Sequence, residues 1–190
     1  MKLVVGILGS PRKGGNADLL LEKALEGARS VGAATEKITL NDLDFKPCQE
    51  CGVCEKTGIC TIPDDMRLVY EAVARADAIA VASPVFFGTV SAQLKMMIDR
   101  FQCLWIDKYV LKNKDSRRKE RRGIFLCVSY ADRPDFFENS QKIVRNLFAT
   151  LDLMYAGDLF CAGLHGKGAV LKDKKALGEA FDLGVNLVKT

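Results

Sequence analysis

Histidine is almost absent from this 190-residue sequence, which contains His165 alone. That residue precedes Gly166, Lys167 and Gly168, a setting typical of a loop, so we do not expect it to act as a catalytic base. Long apolar runs are also lacking: no stretch of roughly eighteen apolar residues occurs, so we expect no membrane span. A strong excess of charge is missing too, because the net charge is only +4, and this argues against a nucleic-acid partner.

An export signal is the next feature that the sequence lacks. The N-terminal apolar run is about six residues long, whereas a signal peptide needs about 7–15. The seven cysteines therefore do not indicate a disulfide framework, and we expect a cytoplasmic protein that uses clustered cysteines for metal or redox chemistry. Cys103, Cys127 and Cys161 stand alone among apolar neighbours and are predicted to be buried.

Strand-like and helix-like segments alternate along the chain. This alternation predicts an α/β fold in which helices cover both faces of a doubly wound, five-stranded parallel sheet. We find no internal repeat and no second domain, so residues 1–190 are interpreted as one domain with a cysteine loop at 45–63, after the second strand, and a basic insertion at 105–122. The predicted strands span 3–8, 34–40, 78–82, 123–129 and 154–161, and the predicted helices 17–31, 66–75, 90–101, 135–151 and 172–188.

The segment 9–16 joins the first predicted strand to its helix and suits a phosphate group. Free N–H groups at a helix start, together with the helix dipole, favour an anion there. Ser10 and Asn16 add side-chain donors, Arg12 adds positive charge, and Asn16 is also predicted to be the helix N-cap. The glycines match neither the P-loop nor the G-x-G-x-x-G dinucleotide pattern. An ordinary glycine-rich turn is the alternative.

A second loop, 83–88, follows the third predicted strand. Ligands of doubly wound folds bind where the carboxyl ends of neighbouring strands share one edge of the sheet, so we expect this loop to meet segment 9–16. Phe86 and Phe87 lie beyond the predicted strand, where two exposed phenylalanines are costly unless an apolar group covers them. A flat flavin ring would cover them; packing of both rings into the core is the alternative.

Three segments together resemble one known family. GSPRKGGN at 9–16, SPVFFGTVSAQLKMMIDR at 83–100 and GKGAVLKD at 166–173 are similar to the NADPH-dependent FMN reductase group of flavodoxin-like proteins. The resemblance implies a flavodoxin-like strand order of 2-1-3-4-5, FMN as cofactor, and loop 129–132 as a candidate to close over the flavin ring. It also implies that the FMN phosphate is held by Ser10, Arg12, Gly15 and Asn16, and that the ring is lined by Pro84, Val85, Phe86, Phe87 and Gly88.

Four of the cysteines form one compact run, C-x₂-C-x₂-C-x₅-C. Two-residue spacers bring successive thiolates to one side of a turning backbone, as in ferredoxin loops. Structural zinc sites more often join two such pairs across a longer gap, so a [4Fe–4S] cluster is favoured over zinc, with free or regulatory thiols as a third option. Combined with the flavin motifs, the run resembles the iron–sulfur flavoproteins of anaerobes, which implies that the cluster ligands are Cys48, Cys51, Cys54 and Cys60.

The combined resemblance implies an oxidoreductase that passes electrons between a [4Fe–4S] cluster and FMN. Its partner is then NAD(P)H or a small ferredoxin-like protein, and a homodimer or homotetramer is expected. The alternatives are an NAD(P)H-dependent FMN or quinone reductase with zinc or free thiols in the loop, and a non-enzymatic electron carrier or redox sensor. The basic stretch 108–122 is interpreted as a docking site for an acidic electron carrier, as a site for the NADPH 2′-phosphate, or as a solvated loop or oligomer edge.

Overall fold

Five parallel strands form the central sheet of the computed structural model, which describes residues 1–113 and 120–189. Their order is β2-β1-β3-β5-β6, and a short strand, β4, pairs antiparallel with the end of β3. Counting the parallel strands alone, this is the predicted order 2-1-3-4-5, which is therefore confirmed. The strands are β1 (Leu3–Leu8), β2 (Ala34–Thr39), β3 (Ala78–Phe86), β4 (Thr89–Val90), β5 (Arg121–Val128) and β6 (Leu153–Cys161).

Helices cover both faces of the sheet. Helices α1 and α7 pack on one face, and α3, α4 and α6 pack on the other, so the predicted doubly wound arrangement is confirmed. None of the described helices is both long and apolar enough to cross a membrane. The helices are α1 (Asn16–Ser30), α2 (Cys54–Thr57), α3 (Met66–Arg75), α4 (Ala92–Arg100), α5 (Gln102–Tyr109), α6 (Pro134–Thr150) and α7 (Lys174–Val188).

The apolar character of the strands follows from this two-sided burial. In β1, Val5 and Ile7 enter the core beneath α3 and α4, whereas Val4 and Leu8 enter the core beneath α1. A strand with both faces buried needs a continuous apolar sequence and shows no polar–apolar alternation. The isolated cysteines Cys103, Cys127 and Cys161 are buried, as the sequence predicts.

Two segments differ from the sequence-based assignments. The third strand continues beyond residue 82 to Phe86 and then folds back through a tight turn into β4, so loop 83–88 is the tip of a hairpin. The predicted helix 90–101 begins later, because the Ser91 hydroxyl accepts a hydrogen bond from the Leu94 N–H and caps α4. A further helix, α5, follows α4 directly. Within the predicted basic insertion, residues 114–119 lie outside the described residues.

Two glycines set the contact between α1 and α7. A Cβ atom on Gly184 of α7 would lie 1.8 Å from the Ala24 carbonyl oxygen, and one on Gly27 of α1 would lie 2.0 Å from the Phe181 carbonyl oxygen. Both obstacles are backbone atoms, which cannot rotate away. The helices therefore pack at a distance that only glycine permits at these two positions.

We expect the Gly184→Ala variant to lower the free energy of unfolding by at least about 2 kcal/mol, because an added methyl group forces the two helices apart. Gly178 of the same helix provides a matched control, since no atom lies within 4 Å of a Cβ placed there. Gly178→Ala should be neutral or stabilise the protein by up to about 1 kcal/mol. Urea unfolding of the three proteins measures both effects, and equal stability of the two variants would contradict the packing argument.

Candidate functional site

The carboxyl ends of β1 and β3 meet in a small network of hydrogen bonds. The Ser91 hydroxyl donates to the Gly9 carbonyl at 2.5 Å, and the Ser91 N–H donates to the Ser83 hydroxyl oxygen at 3.1 Å. The Gly9 N–H donates to the Ala82 carbonyl at 2.8 Å. A Cβ on Gly9 would lie 2.8 Å from Leu94 Cβ, so the approach requires glycine. The structure thus brings segments 9–16 and 83–88 together at one edge of the sheet.

Unpaired backbone donors mark the start of α1. Among the residues that the structure describes, none accepts a hydrogen bond from the N–H groups of Asn16, Ala17 or Asp18. Such groups, aligned with the helix dipole, favour an anion. The Asp18 carboxylate accepts from the Gly14 N–H at 2.7 Å, and Lys37 balances its charge with Nζ at 2.6 Å. The first turn of α1 therefore keeps its capacity for an external anion.

Ser10 and Arg12 flank these donors. Ser10 is buried, and its Oγ accepts from the Arg12 N–H at 3.2 Å, which leaves the hydroxyl proton to donate elsewhere. Arg12 is exposed, so its guanidinium is open to a ligand. A Cβ on Gly15 would lie 2.9 Å from the Arg12 carbonyl oxygen, which shows how tightly the loop turns.

Asn16 has a different local role from the predicted one. The N-cap position belongs to Gly15, and no side chain caps the helix there. The Asn16 amide instead donates from Nδ2 to the Gly166 carbonyl at 3.0 Å and accepts at Oδ1 from the Val170 N–H at 3.2 Å. The prediction of Asn16 as N-cap is therefore wrong, because its amide fastens the 163–170 loop to the start of α1.

Lys167, which belongs to the 163–170 loop, also lies near the start of α1. A Cβ built on Gly14 would lie 3.2 Å from Lys167 Cε and 3.6 Å from Lys167 Nζ, so the ammonium group lies beside the turn of segment 9–16. Gly14 has a φ of 66°, the left-handed conformation that favours glycine. Lys167 is not among the site residues predicted from the sequence. The available signal was its position between two glycines, as in a loop that approaches a ligand.

Exposed aromatic rings border this edge of the sheet. Phe86 is 50% exposed and Phe87 is fully exposed, so the alternative that both rings pack into the core is wrong. Phe87 also has a φ of 49°, which costs a bulky residue on the order of 1 kcal/mol and is typical of functional loops. The Tyr130 and His165 rings contact each other edge to face, with centroids 4.0 Å apart. The carboxyl ends of β5 and β6 thus add a second aromatic pair to this edge.

The four clustered cysteines line one cavity of about 470 Å³. Burial raises the pKa of the Cys54 thiol, and the charges of the other three cysteines raise it further, so the four sulfur atoms lie within electrostatic reach of one another. Their backbone turns sharply, with Gly52 and Gly58 in the left-handed conformation. Within 1–113 and 120–189, no group of three or more His, Cys, Asp or Glu side chains is spaced to hold a metal ion. The donor set itself, four cysteines around one cavity, is of the kind that binds iron–sulfur clusters and other thiolate-ligated groups.

The cysteine cavity and the edge that holds segment 9–16 lie at opposite ends of α4. Ser91, hydrogen-bonded to Gly9, immediately precedes the first residue of α4, whereas Arg100, its last residue, borders the cysteine cavity. A helix of nine residues spans about 13 Å. Within one chain, the structure therefore does not bring the cysteines and the 83–88 segment into contact.

One buried ion pair closes the cysteine loop at its base. Asp64 Oδ2 lies 2.6 Å from Arg100 Nη1, and Asp64 Oδ1 lies 3.1 Å from Arg100 Nη2. Arg100 Nη1 also donates to the Lys46 carbonyl at 2.8 Å, and Asp64 accepts from the Lys46 N–H at 3.0 Å. Lys46 precedes the cysteines and Asp64 follows them, so the pair fixes both ends of the loop. Asp64 also accepts from the Met66 N–H at 3.1 Å, at the start of α3.

The two described ends of the basic stretch 108–122 have structural partners. Lys108 pairs with Asp152 and donates to the Ala149 carbonyl at 2.6 Å. Arg121 is buried and donates to the carbonyls of Val73 at 3.0 Å and Leu151 at 2.8 Å. These two cations support the fold, and most of the remaining charge lies in residues 114–119, outside the described residues.

Comparison with known proteins identifies the family. A family model described as NADPH-dependent FMN reductase matches residues 1–163. The chain belongs to the NADPH-dependent FMN reductase family. An iron–sulfur flavoprotein of Methanocaldococcus jannaschii is 45% identical over 155 residues, which is 82% of this chain and 76% of that protein. An iron–sulfur flavoprotein of Methanosarcina thermophila is 41% identical over 111 residues, and this alignment spans 58% of each chain.

Solved structures support the fold of this FMN reductase family member. A flavone reductase superimposes with a TM-score of 0.74 at 20% identity, covering 98% of this chain and 62% of that one. The NAD(P)H:quinone oxidoreductase from Methanothermobacter marburgensis gives a TM-score of 0.70 at 21% identity, covering 98% and 96%. The predicted flavodoxin-like fold is therefore confirmed.

The Asp64–Arg100 pair predicts how stability depends on pH. Burial acts to raise the pKa of Asp64, but the Arg100 guanidinium and two backbone N–H groups outweigh it and lower the pKa. A lowered carboxyl pKa stabilises the fold above the unfolded-state value of about 4, and this contribution is lost as the pH falls through the folded-state value. Asp64→Asn should therefore cost about 3 kcal/mol of unfolding free energy at neutral pH, and progressively less in acid.

Urea unfolding of wild type and variant from neutral to acidic pH tests this expectation. Glu71→Gln is a matched control, because it breaks an exposed pair in which Glu71 Oε1 lies 2.6 Å from Arg67 Nη1. That control should lose less than about 1 kcal/mol. Equal losses in the two variants, or a loss in Asp64→Asn that persists unchanged in acid, would contradict the prediction.

Proposed function

We propose that this protein is an FMN-dependent oxidoreductase that passes electrons between FMN and a [4Fe–4S] cluster. The observation that carries the proposal is that four cysteines of one short loop line a single cavity, in a chain whose FMN reductase family is known. The name of the 45% identical relative, an iron–sulfur flavoprotein, supports the same assignment. When bound, FMN supplies one- and two-electron chemistry and the cluster supplies one-electron chemistry.

The FMN phosphate is assigned to the turn between β1 and α1. The free N–H groups of the first turn of α1 and the Ser10 hydroxyl provide neutral donors, while Arg12 provides positive charge. Lys167 is included in the proposed site because its ammonium group lies beside Gly14. The proposed phosphate site then consists of Ser10, Arg12, Gly15, Asn16 and Lys167.

The flavin ring is assigned to the tip of the β3–β4 hairpin. Covering Phe86 and Phe87 would remove apolar surface from water, a gain of about 25 cal/mol per Å². Tyr130 and His165 border the same edge of the sheet and would limit the access of water to the ring. The proposed ring site consists of Pro84, Val85, Phe86, Phe87 and Gly88.

The cluster ligands are assigned to Cys48, Cys51, Cys54 and Cys60. Their role is to bind as thiolates, and the Asp64–Arg100 pair keeps the two ends of their loop together. NAD(P)H, in keeping with the family, or a small ferredoxin-like protein is the proposed redox partner. A homodimer or homotetramer is the proposed assembly.

Lys167→Met tests the phosphate assignment. We expect FMN to bind more weakly by about 1.5–3 kcal/mol, because a charge-assisted hydrogen bond is lost. Riboflavin, which has the same ring without the phosphate, should bind equally to the variant and to wild type. Fluorescence titration of apoprotein with each ligand measures this difference. Lys172→Met, an exposed lysine of the following turn, is the control and should behave as wild type.

Two outcomes of this titration would contradict the assignment. Unchanged FMN affinity would mean that Lys167 does not contact the phosphate. An equal loss for riboflavin and FMN would mean that the substitution disturbs the ring site or the 163–170 loop.

Cys51→Ala tests the cluster assignment. After anaerobic reconstitution, wild type should hold about four iron and four sulfide per chain, and the variant should lose them while keeping stoichiometric FMN. Cys161→Ala, which removes a buried cysteine distant in sequence from the loop, is the control and should keep both groups. Zinc in place of iron, or loss of FMN together with iron in Cys51→Ala, would contradict the separation of the two sites.

A second candidate function is an NAD(P)H-dependent FMN or quinone reductase without a cluster. The family of the chain, described as NADPH-dependent FMN reductase, favours this candidate. Anaerobic stopped-flow mixing of NADPH with the wild type and with Cys51→Ala separates the two candidates. Equal turnover by both proteins with a quinone acceptor favours the second function. Flavin reduction without transfer to any acceptor would favour a redox sensor.

A further inference from the structure

Arg100 is a fully charged side chain that is almost completely buried. It is 2% exposed, and it lies at the end of α4, beneath the cysteine loop. Both of its terminal nitrogens are hydrogen-bonded, Nη1 to Asp64 and the Lys46 carbonyl and Nη2 to Asp64. The ion pair therefore accounts for one end of the guanidinium but leaves its remaining N–H group to be explained.

That remaining group, Nε–H, is buried without a partner. No atom of the described residues accepts a hydrogen bond from it. A buried donor without an acceptor costs about 1–3 kcal/mol, so native structures seldom retain one unless another group completes the bond. Thr89 Oγ1 is another buried side-chain oxygen of the described chain without a hydrogen-bond partner, but Thr89 does not border the cysteine cavity.

Arg100 borders the same cavity as the four cysteines and is the one arginine among the described residues that line it. Cys60 lines this cavity together with Cys48, Cys51 and Cys54. The side chain that carries the unpartnered donor therefore borders the cavity that the four cysteines share.

We propose that Arg100 donates a hydrogen bond from Nε–H to a sulfur atom of the bound cluster, and thereby raises the reduction potential of the cluster. The inference rests on the proposed function, because it requires the cluster. An N–H donor to a cluster sulfur stabilises the reduced form, which carries one more negative charge, more than the oxidised form. Arg100 would thus both complete its own hydrogen bonding and set how readily the cluster accepts an electron.

The Asp64→Asn variant distinguishes a hydrogen bond from Arg100 to the cluster from mere support of the loop by Arg100. Asp64→Asn weakens the clamp at the base of the loop but leaves the Nε donor in place and removes a nearby negative charge. If Arg100 acts by donating to the cluster, the potential of Asp64→Asn should be unchanged or higher than that of wild type. If Arg100 only holds the loop, Asp64→Asn and the Arg100 variants should change the potential in the same direction.

Redox titration of the reconstituted holoprotein, followed by the cluster EPR signal, tests the proposal. Arg100→Lys and Arg100→Gln should both lower the midpoint potential at unchanged iron content, with Asp64→Asn as the matched variant. Potentials equal to wild type in both Arg100 variants would overturn the proposal. A fall of equal size in Asp64→Asn would also overturn it.

A second measurement uses the wild type and does not depend on how the variants fold. Protein made with arginine labelled with ¹⁵N in the guanidinium group alone should show a ¹⁵N coupling to the reduced cluster in pulsed EPR. A bound cluster without this coupling overturns the role of Arg100 and leaves the proposed function intact. A chain that takes up no iron or sulfide overturns both proposals, so the two failures are distinguishable.

Discussion

The parallel pairing of β1 with β3 is the constraint on which the arrangement of the molecule depends. It places the ends of two strands side by side, and the Ser91 hydroxyl fixes them by donating to the Gly9 carbonyl at 2.5 Å. The turn into α1 then presents its free N–H groups beside a hairpin tip that carries two exposed phenylalanines. One ligand can therefore place its anionic end at the N–H groups of the first turn and its apolar face against the phenylalanines of the second.

The cysteine loop depends on a second and separate constraint. Its two ends are joined through Asp64 and Arg100, and both charges of this pair are largely removed from water. Such a pair costs desolvation free energy and is retained when it fixes a geometry or serves a further role. Here it holds the loop that carries the four cysteines, and its guanidinium has one further buried N–H, at Nε, with no acceptor among the described residues. Support and electronic tuning of a bound cluster are thereby combined in one side chain, according to our proposal.

The position of α4 relates the two regions to each other. The helix starts at the flavin-binding edge proposed here and ends at the cysteine cavity, so its length of about 13 Å separates them within a chain. Within the cysteine loop, α2 packs against α5, and a Cβ on Gly58 would lie 2.4 Å from Asp107 Oδ1. The position of the cysteines thus depends on a contact between two helices that are far apart in the sequence.

The sequence alone determined the alternation of strands and helices, the cover of helices on both faces and the grouping of the candidate residues into two motifs, whereas the strand order was implied only by the resemblance to a known family. These features follow from local apolar patterns, from glycine-rich turns and from cysteine spacing, each of which acts over a few residues. Only the tertiary structure decided that Asn16 holds the 163–170 loop, that Lys167 lies beside Gly14 and that Arg100 reaches the cysteine cavity. Each of these contacts joins residues far apart in the chain, and their energies depend on burial and on partners that packing supplies, so no local pattern could predict them.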